Sequence, residues 1–163
     1  MKLRALEPED LELLYTIEND MAMWNVGNTN VPYSRYDLRD YILNQQHDIY
    51  KDGQVRFVVE DSARAVGLVD LFNFSPRDLR AEVGIAILKE QQGEGLGQEA
   101  LRQLSEYAFG TLGLHQLYAF VSEKNEVAKK CFEKAGYKQT AVLKDWIRKV
   151  DVFENAVIYT LLK

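Results

Sequence analysis

Gln91-Gln92-Gly93-Glu94-Gly95-Leu96-Gly97-Gln98 places three glycines at alternate positions, between an apolar run and an amphipathic run. The apolar run, Arg80 to Leu88, is largely apolar beyond Glu82 and predicts a central strand buried on both faces. The residues that follow predict a helix with one buried face, formed by Leu96, Ala100, Leu101, Leu104 and Ala108. The first N–H groups of a helix lack partners and favour negative charge, and glycine lets a ligand approach the backbone. The segment therefore predicts a pyrophosphate site; the alternative is a tight turn that binds nothing.

Two common phosphate-binding motifs fit this glycine segment poorly. A Walker loop ends in Gly-Lys-Ser/Thr, whereas this chain reads Gly97-Gln98-Glu99. A dinucleotide fingerprint needs its third glycine at the position of Gln98, and it usually follows the first strand of its fold. The glycine segment lies past the middle of the chain, so neither class of nucleotide-binding protein is indicated.

The rest of the chain predicts one mixed α/β domain over residues 1–163. Apolar runs predict seven strands, at residues 2–6, 55–60, 66–72, 80–88, 115–121, 137–147 and 152–162. Amphipathic patterns predict four helices: one from Pro8, one over residues 34–50, one after Gly95 and one at 125–135. Ser34 and Asp37 predict a capping box for the second helix, and residues 24–33 predict a loop.

Composition narrows the functional classes. The chain has 163 residues, a net charge of −5, and apolar and charged shares of 47% and 28%, as in ordinary globular proteins. The single Cys131 and the two histidines, His47 and His115, predict neither a disulfide nor a metal site. No run reaches the roughly 18 apolar residues of a membrane helix, and the charged N-terminus is unlike a signal peptide, so we expect a cytoplasmic protein. The negative net charge argues against binding to nucleic acid and suits a cationic small-molecule substrate. The alternative is that the charge only keeps the protein in solution.

Several segments together resemble the GCN5-related N-acetyltransferase (GNAT) family. The glycine segment matches the family's coenzyme A pyrophosphate motif as Gln92-x-x-Gly95-x-Gly97. Other family-like segments are Arg56-Phe57-Val58-Val59-Glu60, Gly67-Leu68-Val69-Asp70-Leu71, Arg80-Ala81-Glu82, Leu117-Tyr118-x-x-Val121, Asn125-Glu126-x-Ala128 and Lys134-x-Gly136-Tyr137. The resemblance runs from about residue 54 to the C-terminus. It is closest to the spermidine/spermine and ribosomal-protein N-terminal acetyltransferase branch.

The resemblance implies a fold and a binding site for a co-substrate. The fold is a central mixed, largely antiparallel sheet of about seven strands flanked by four helices. The co-substrate is acetyl-CoA, and no metal is expected. Its pantetheine arm would pair with Ile85, Ala86 and Ile87 and bond to Asn125, which is also a good helix N-cap. Its pyrophosphate would be held by the backbone amides of Gln92, Gly93, Glu94, Gly95, Leu96, Gly97 and Gln98.

The chemistry needs a base, because an alkylammonium with a pKa of about 10 must lose a proton before it attacks a thioester. By resemblance, Glu82 is the first candidate base and Asp70 the second, either of them acting through a water. Glu82 could instead form an ion pair with Arg80. The proton donor of the spermidine branch is a tyrosine, and Phe132, which cannot donate, stands at its position. The adjacent Cys131 is predicted to be a small buried hydrophobe.

The resemblance implies an N-acetyltransferase that moves an acetyl group from acetyl-CoA to a primary amine, such as that of the polyamine spermidine, by direct attack in a ternary complex. A protein N-terminus is the alternative acceptor, and a coenzyme A-binding regulator without turnover is a third hypothesis, suggested by Phe132. We expect residues 20–50 and the hairpin near Arg148 to Asp151 to contact the acceptor. The expected partner is a small-molecule amine, with no nucleic acid and no membrane, and a homo-oligomer is compatible with the sequence.

Overall fold

The computed structural model describes residues 1–20, 31–45, 48–149 and 151–163. Its strands are β1 Lys2–Arg4, β2 Val55–Asp61, β3 Arg64–Ser75, β4 Arg80–Ile87, β5 Gln116–Ser122, β6 Lys138–Lys149 and β7 Val152–Leu162. They form one seven-stranded sheet in the order β1-β2-β3-β4-β5-β7-β6. Each strand lies where the sequence predicts it, with differences of a few residues at the ends, and the predicted mixed α/β fold is confirmed.

Five α-helices accompany the sheet in the described residues: α1 Leu11–Glu18, α2 Arg35–Leu43, α3 Ile49–Asp52, α4 Leu96–Gly110 and α5 Glu126–Lys134. Short 3-10 turns precede α1, at Pro8–Asp10, and follow β4, at Lys89–Gln91. The predicted capping box forms at the start of α2, where the Asp37 N–H donates to Ser34 Oγ (3.1 Å). Residues 24–30 of the predicted loop, together with His47, lie outside the described residues.

The prediction of one continuous helix over residues 34–50 is wrong, because two polar side chains interrupt it. The Asn44 side chain donates to the backbone carbonyl of Asp40 (3.0 Å) where α2 ends. The Asp48 carboxylate accepts the N–H of Tyr50 (3.0 Å) and caps the separate short helix α3. Asn and Asp side chains compete with helical backbone bonds in this way.

A cleft opens in the middle of the sheet, between β4 and β5. These two strands are parallel, whereas the other strand pairs are antiparallel. Their pairing covers only Arg80–Glu82 with Gln116–Tyr118. Beyond Glu82 the strands separate, so one edge of β4 from Val83 onward has no strand partner in the part of the chain that the structure describes. The second half of β4 is consequently only half-buried, although the sequence predicts a strand buried on both faces.

The helices cover the two faces of the sheet. On the face that we call the α1–α2 face, α1 and α2 pack over Val58 and Leu68. On the opposite face, the α4–α5 face, a larger core joins α4 and α5 to the sheet through residues such as Val69 and Val83. Because side chains alternate along a strand, Glu82 points to the α1–α2 face.

Candidate active site

The glycine segment forms the predicted turn between β4 and α4. Gly93 and Gly95 have left-handed backbone angles, with φ of +90° and +81°, which glycine adopts without strain. A Cβ atom added at either position would meet no heavy atom within 4 Å, so both positions face open space. The Gln92 side chain donates to the carbonyl of Ile87 (2.9 Å) and holds the turn to the end of β4.

The N-terminus of α4 is open to an anionic ligand. Gly95 is its N-cap and supplies no side-chain hydrogen bond. The Glu99 N–H donates to the Gly95 carbonyl (3.1 Å), so the N–H groups of residues 96–98 lie before the first intrahelical bond. Free donors at the positive end of a helix dipole fit a pyrophosphate. The turn and the free helix start are observed as predicted, and their binding of a coenzyme A pyrophosphate stays a prediction.

Gly97, at the start of α4, has a different role. A Cβ atom added there would lie 3.1 Å from Sγ of Cys131, so the glycine lets α4 approach α5 closely. Burial raises the pKa of the Cys131 thiol, which is half-buried between the two helices. The thiol packs against the core as a small hydrophobe, as predicted, but it is half-buried rather than buried.

The free edge of β4 and the start of α5 flank the turn. Ile85 and Ile87 point to the α4–α5 face and Ala86 to the other, and their backbone edge is available to an added strand-like ligand. Asn125 is the N-cap of α5, and its Oδ1 accepts the N–H of Ala128 (3.0 Å). This confirms one of its two predicted roles and leaves its Nδ2 outside that bond. Its contact with the coenzyme stays a prediction.

Glu82 lies at the mouth of the cleft, at the last paired position of β4 and β5. Its half-buried carboxylate accepts a hydrogen bond from Nδ2 of Asn73 (2.8 Å). Burial raises the pKa of Glu82 above its usual value, and the hydrogen bond from Asn73 holds back part of the rise. A carboxylate with a raised pKa is a better proton acceptor, which suits a general base. Arg80 pairs with Asp78 (2.7 Å), so the alternative of a Glu82–Arg80 ion pair is wrong.

Asp70, the second candidate base, is already bound by an arginine. Arg56 on β2 donates one hydrogen bond to each Asp70 carboxylate oxygen (both 2.8 Å) and another to Glu18 at the end of α1 (2.6 Å). The guanidinium also lies 5.6 Å from the ring centroid of Tyr41 on α2. Because the Arg56 guanidinium occupies both Asp70 oxygens, the geometry favours Glu82 as the base. The ion pair ties α1 and α2 to the sheet beside the cleft.

Phe132 lies in the core of the α4–α5 face, with 4% of its surface exposed. Its ring packs edge-on against Tyr137 (5.1 Å between centroids) and stacks on Tyr159 (6.0 Å). The hydroxyls of these two tyrosines bond elsewhere, to Ser105 (3.1 Å) and to Glu133 (2.8 Å) respectively. The position at which the resemblance places a proton donor therefore holds a packed ring, on the opposite side of the sheet from the candidate base.

The chain matches known proteins over most of its length. A family profile described as "Acetyltransferase (GNAT) domain" matches residues 1–138. The chain belongs to the GNAT acetyltransferase family. This acetyltransferase is an acyl-transferring enzyme, and members of its family take the acetyl group from acetyl-CoA. The hypothesis of a regulator without turnover loses its support accordingly.

Individual relatives of the acetyltransferase include polyamine-acetylating enzymes. Spermidine N(1)-acetyltransferase of Escherichia coli K12 is 34% identical over 138 residues, which cover 84% of this chain and 72% of the relative. A solved structure of spermidine N-acetyltransferase from Vibrio cholerae in complex with CoA and spermine is 28% identical, with a TM-score of 0.85 over 99% of this chain and 94% of that chain. The Bacillus subtilis protein "Putative ribosomal N-acetyltransferase YdaF" is 29% identical over 167 residues, covering 99% of this chain and 90% of its own.

Each helix of the described residues is too short or too polar to cross a lipid bilayer. In the same residues, no three His, Cys, Asp or Glu side chains are grouped so that they could hold a metal ion.

Asn73 is a candidate site residue that the sequence does not reveal. It contacts Glu82 from β3, where a bulge between Phe72 and Ser75 shifts the register and gives Asn73 a φ of +48°. An asparagine with positive φ is common, but the sequence contains no signal that it faces a glutamate nine positions later.

We expect Asn73→Gly to shift the acidic limb of the kcat/KM profile to higher pH. Glycine accepts the positive φ, so only the side-chain donor is lost. Without it the pKa of Glu82 rises further, and more of the carboxyl is protonated at a given pH. Ala63→Gly, at an exposed position with φ of +61°, is the matched control and should leave the profile unchanged. A profile for Asn73→Gly that coincides with that of the control would contradict the assignment.

Proposed function

We propose that this acetyltransferase transfers the acetyl group of acetyl-CoA to a primary amine of a polyamine such as spermidine, by direct attack within a ternary complex. The observation that carries the proposal is Glu82, a half-buried carboxylate at the mouth of the cleft between β4 and β5. The similarity to spermidine-acetylating enzymes supports the choice of acceptor.

The residues of the chain divide the work between binding and proton transfer. Acetyl-CoA, when bound, supplies a thioester-activated acetyl group. The backbone amides of Gln92 to Gln98 hold its pyrophosphate, and the free edge of β4 at Ile85 to Ile87 aligns its pantetheine arm. Glu82 accepts a proton from the acceptor ammonium through a water, which leaves the nitrogen lone pair free to attack. Asp70 and Arg56 fix the surface beside Glu82.

The acceptor side of the cleft lies on the α1–α2 face. A Cβ atom added at Gly84 would lie 3.2 Å from the ring of Phe72 and 3.8 Å from Oδ2 of Asp70. Both side chains therefore lie over Gly84, next to Glu82 on the same strand. An ammonium group that enters here meets one half-buried carboxylate that holds no arginine, which suits a cationic substrate.

Phe132 makes protonation of the leaving thiolate a slow step in this proposal. Phe132→Tyr places a hydroxyl where the tyrosine of the spermidine branch lies, and we expect it to raise kcat several-fold without a matching change in acetyl-CoA affinity. If the added hydroxyl finds no partner in the core, it costs about 1–3 kcal/mol of stability. Turnover and thermal melting of the single mutant decide between the two effects. A lower melting temperature with no gain in rate would overturn the assignment.

A protein N-terminus is the second candidate acceptor. The similarity to the Bacillus subtilis protein named for ribosomal acetylation extends over 99% of this chain, further than the 84% matched by the Escherichia coli enzyme. A polyamine carries further ammonium groups, which the exposed lysines and arginine of β6 would repel. A peptide acceptor needs no second ammonium group, so these side chains would not repel it in this way.

The acceptor can be tested by a turnover screen. Purified protein with acetyl-CoA is offered spermidine, spermine, n-butylamine, free amino acids and short peptides, and release of free thiol is followed. The proposal expects thiol release with the polyamines to exceed release with the peptides at equal concentration. Faster release with peptides would move the assignment to protein N-termini.

A further inference from the structure

An aromatic row runs away from Glu82 along the α1–α2 face of the sheet. Tyr118 is paired in register with Glu82 across β4 and β5, so both side chains lie on the same face. The Tyr118 and Phe120 rings meet edge to face with centroids 5.8 Å apart, and Phe120 stacks on Trp146 at 5.9 Å with 16° between the planes. The row thus connects the candidate base to the β6–β7 hairpin.

The row belongs to neither hydrophobic core. Tyr118 and Phe120 are half-buried, and 59% of the Trp146 surface is exposed. In the part of the chain that the structure describes, cations lie over the rings of Tyr15 and Tyr41, and none lies over the row. The Trp146 ring therefore stacks on Phe120 with one face and offers its exposed surface to a ligand.

A bulge in β6 places Trp146 on this face. The register between β6 and β7 shifts between Leu143 and Ile147, and Asp145 within the bulge has a φ of +50°. The Asp145 N–H donates to Oδ1 of Asn155 on β7, which fixes the bulge (3.1 Å). Bulges beside active sites commonly re-aim a side chain, and a left-handed non-glycine residue needs such support.

Two lysines at the far end of the row are paired with a carboxylate. Lys124 and Lys149 both bind the buried carboxylate of Glu154, at 3.1 and 3.0 Å. Hydrogen bonds from Lys149, Ser122 and Lys124 lower the pKa of Glu154 to about 2, so it stays ionised and keeps both lysines. The near end of the row carries Glu82.

We propose that Tyr118, Phe120 and Trp146 bind the cationic carbon chain of the acceptor, while its reacting amine lies at Glu82. This inference rests on the proposed function and assigns its acceptor a binding surface. Aromatic faces attract ammonium groups, and they also cover methylene groups. A chain of methylene groups interrupted by ammonium groups, as in a polyamine, satisfies both kinds of contact. A simple short monoamine would use only the end at Glu82.

The test compares an extended acceptor with a short one. Trp146→Ala should raise KM for spermidine about tenfold, by loss of one cation–π and methylene contact. It should leave kcat, the KM for acetyl-CoA and the kcat/KM for n-butylamine within about twofold of wild type, since these do not depend on the row. Trp146→Phe keeps an aromatic ring, so its KM for spermidine should lie close to the wild-type value. Equal losses for spermidine and n-butylamine, or no loss for either, would overturn the proposal.

Phe153→Ala is the matched control. Phe153 is 58% exposed on the same hairpin, but it alternates with Glu154 and so points to the other face. Its removal should leave the KM for spermidine and the kcat/KM for n-butylamine at wild-type values. If Trp146→Ala instead changes the oligomeric state seen by sedimentation, the row is a contact between copies of the chain and the inference fails.

A binding measurement separates this inference from the proposed reaction. Calorimetry of spermidine into the complex of the protein with coenzyme A needs no turnover. Binding that weakens in Trp146→Ala but not in Phe153→Ala supports the row even if no amine is acetylated. An absence of spermidine binding to the wild-type complex would overturn the row whatever the protein acetylates.

Discussion

Glu82→Gln should lower kcat/KM for an amine acceptor by about 10²-fold or more at neutral pH, because general-base catalysis contributes on that order. The deficit should shrink toward high pH, where more of an amine with a pKa of about 10 is already neutral. The measurement is the pH–rate profile of wild type and mutant with the same acceptor. A mutant profile that parallels wild type at all pH values would remove Glu82 from the mechanism.

Stability provides an internal control for the same mutant. The folded protein holds the Glu82 proton more tightly than the unfolded chain, because burial raises its pKa. The stability that this residue contributes is therefore present at low pH and is lost as pH rises through the raised pKa. Glutamine does not ionise, so the mutant does not lose this stability as pH rises. Its melting temperature at neutral pH should therefore equal or exceed the wild-type value. Asp70→Asn, which breaks the ion pair with Arg56, should instead have a lower melting temperature than wild type.

Gly95→Val should weaken acetyl-CoA binding about 100-fold, as expected when one or two charge-assisted hydrogen bonds to the pyrophosphate are lost. The position faces open space, so the valine meets nothing in the protein and instead occupies the approach to the α4 N-terminus. It also disfavours the φ of +81° that aims the amides. Calorimetry with acetyl-CoA measures the affinity.

Gly113→Val separates loss of the site from backbone strain. Gly113 has a φ of +67° and open space around it, and it lies beyond the opposite end of α4. Valine there carries a similar strain, about 1–2 kcal/mol, far from the glycine turn. We expect the two mutants to lose similar stability, and only Gly95→Val to lose affinity. Equal affinities in the two folded mutants would refute the assignment of the turn.

The sequence predicts the glycine turn and the N-cap of α5 well, because their signals are local. Three alternating glycines between a strand and a helix imply a turn that leads to free helix amides, and the N–H groups of residues 96–98 lie before the first intrahelical bond. Asn125 three residues before Ala128 implies an N-cap, and it forms one. Such features depend on neighbouring residues along the chain and need no knowledge of tertiary contacts.

The acceptor side is less predictable, because bulges and long-range contacts build it. Asn73 reaches Glu82 across a register shift in β3, and the bulge in β6 turns Trp146 toward Phe120. A bulge breaks the two-residue alternation from which the facing of strand side chains is inferred. The prediction of one helix over residues 34–50 is wrong for a local reason that the sequence does contain. Asn44 and Asp48 are both good capping residues.

Mass spectrometry of the acceptor tests the central claim most directly. The protein is incubated with acetyl-CoA and spermidine, with Glu82→Gln in parallel, and the polyamine products and the free thiol are both quantified. We expect monoacetylated spermidine to form in a one-to-one ratio with free thiol, and its rate to fall about 10²-fold in the mutant. Thiol release without an acetylated polyamine, or equal product formation by wild type and Glu82→Gln, would contradict the assignment of a polyamine acetyltransferase that uses Glu82 as its base.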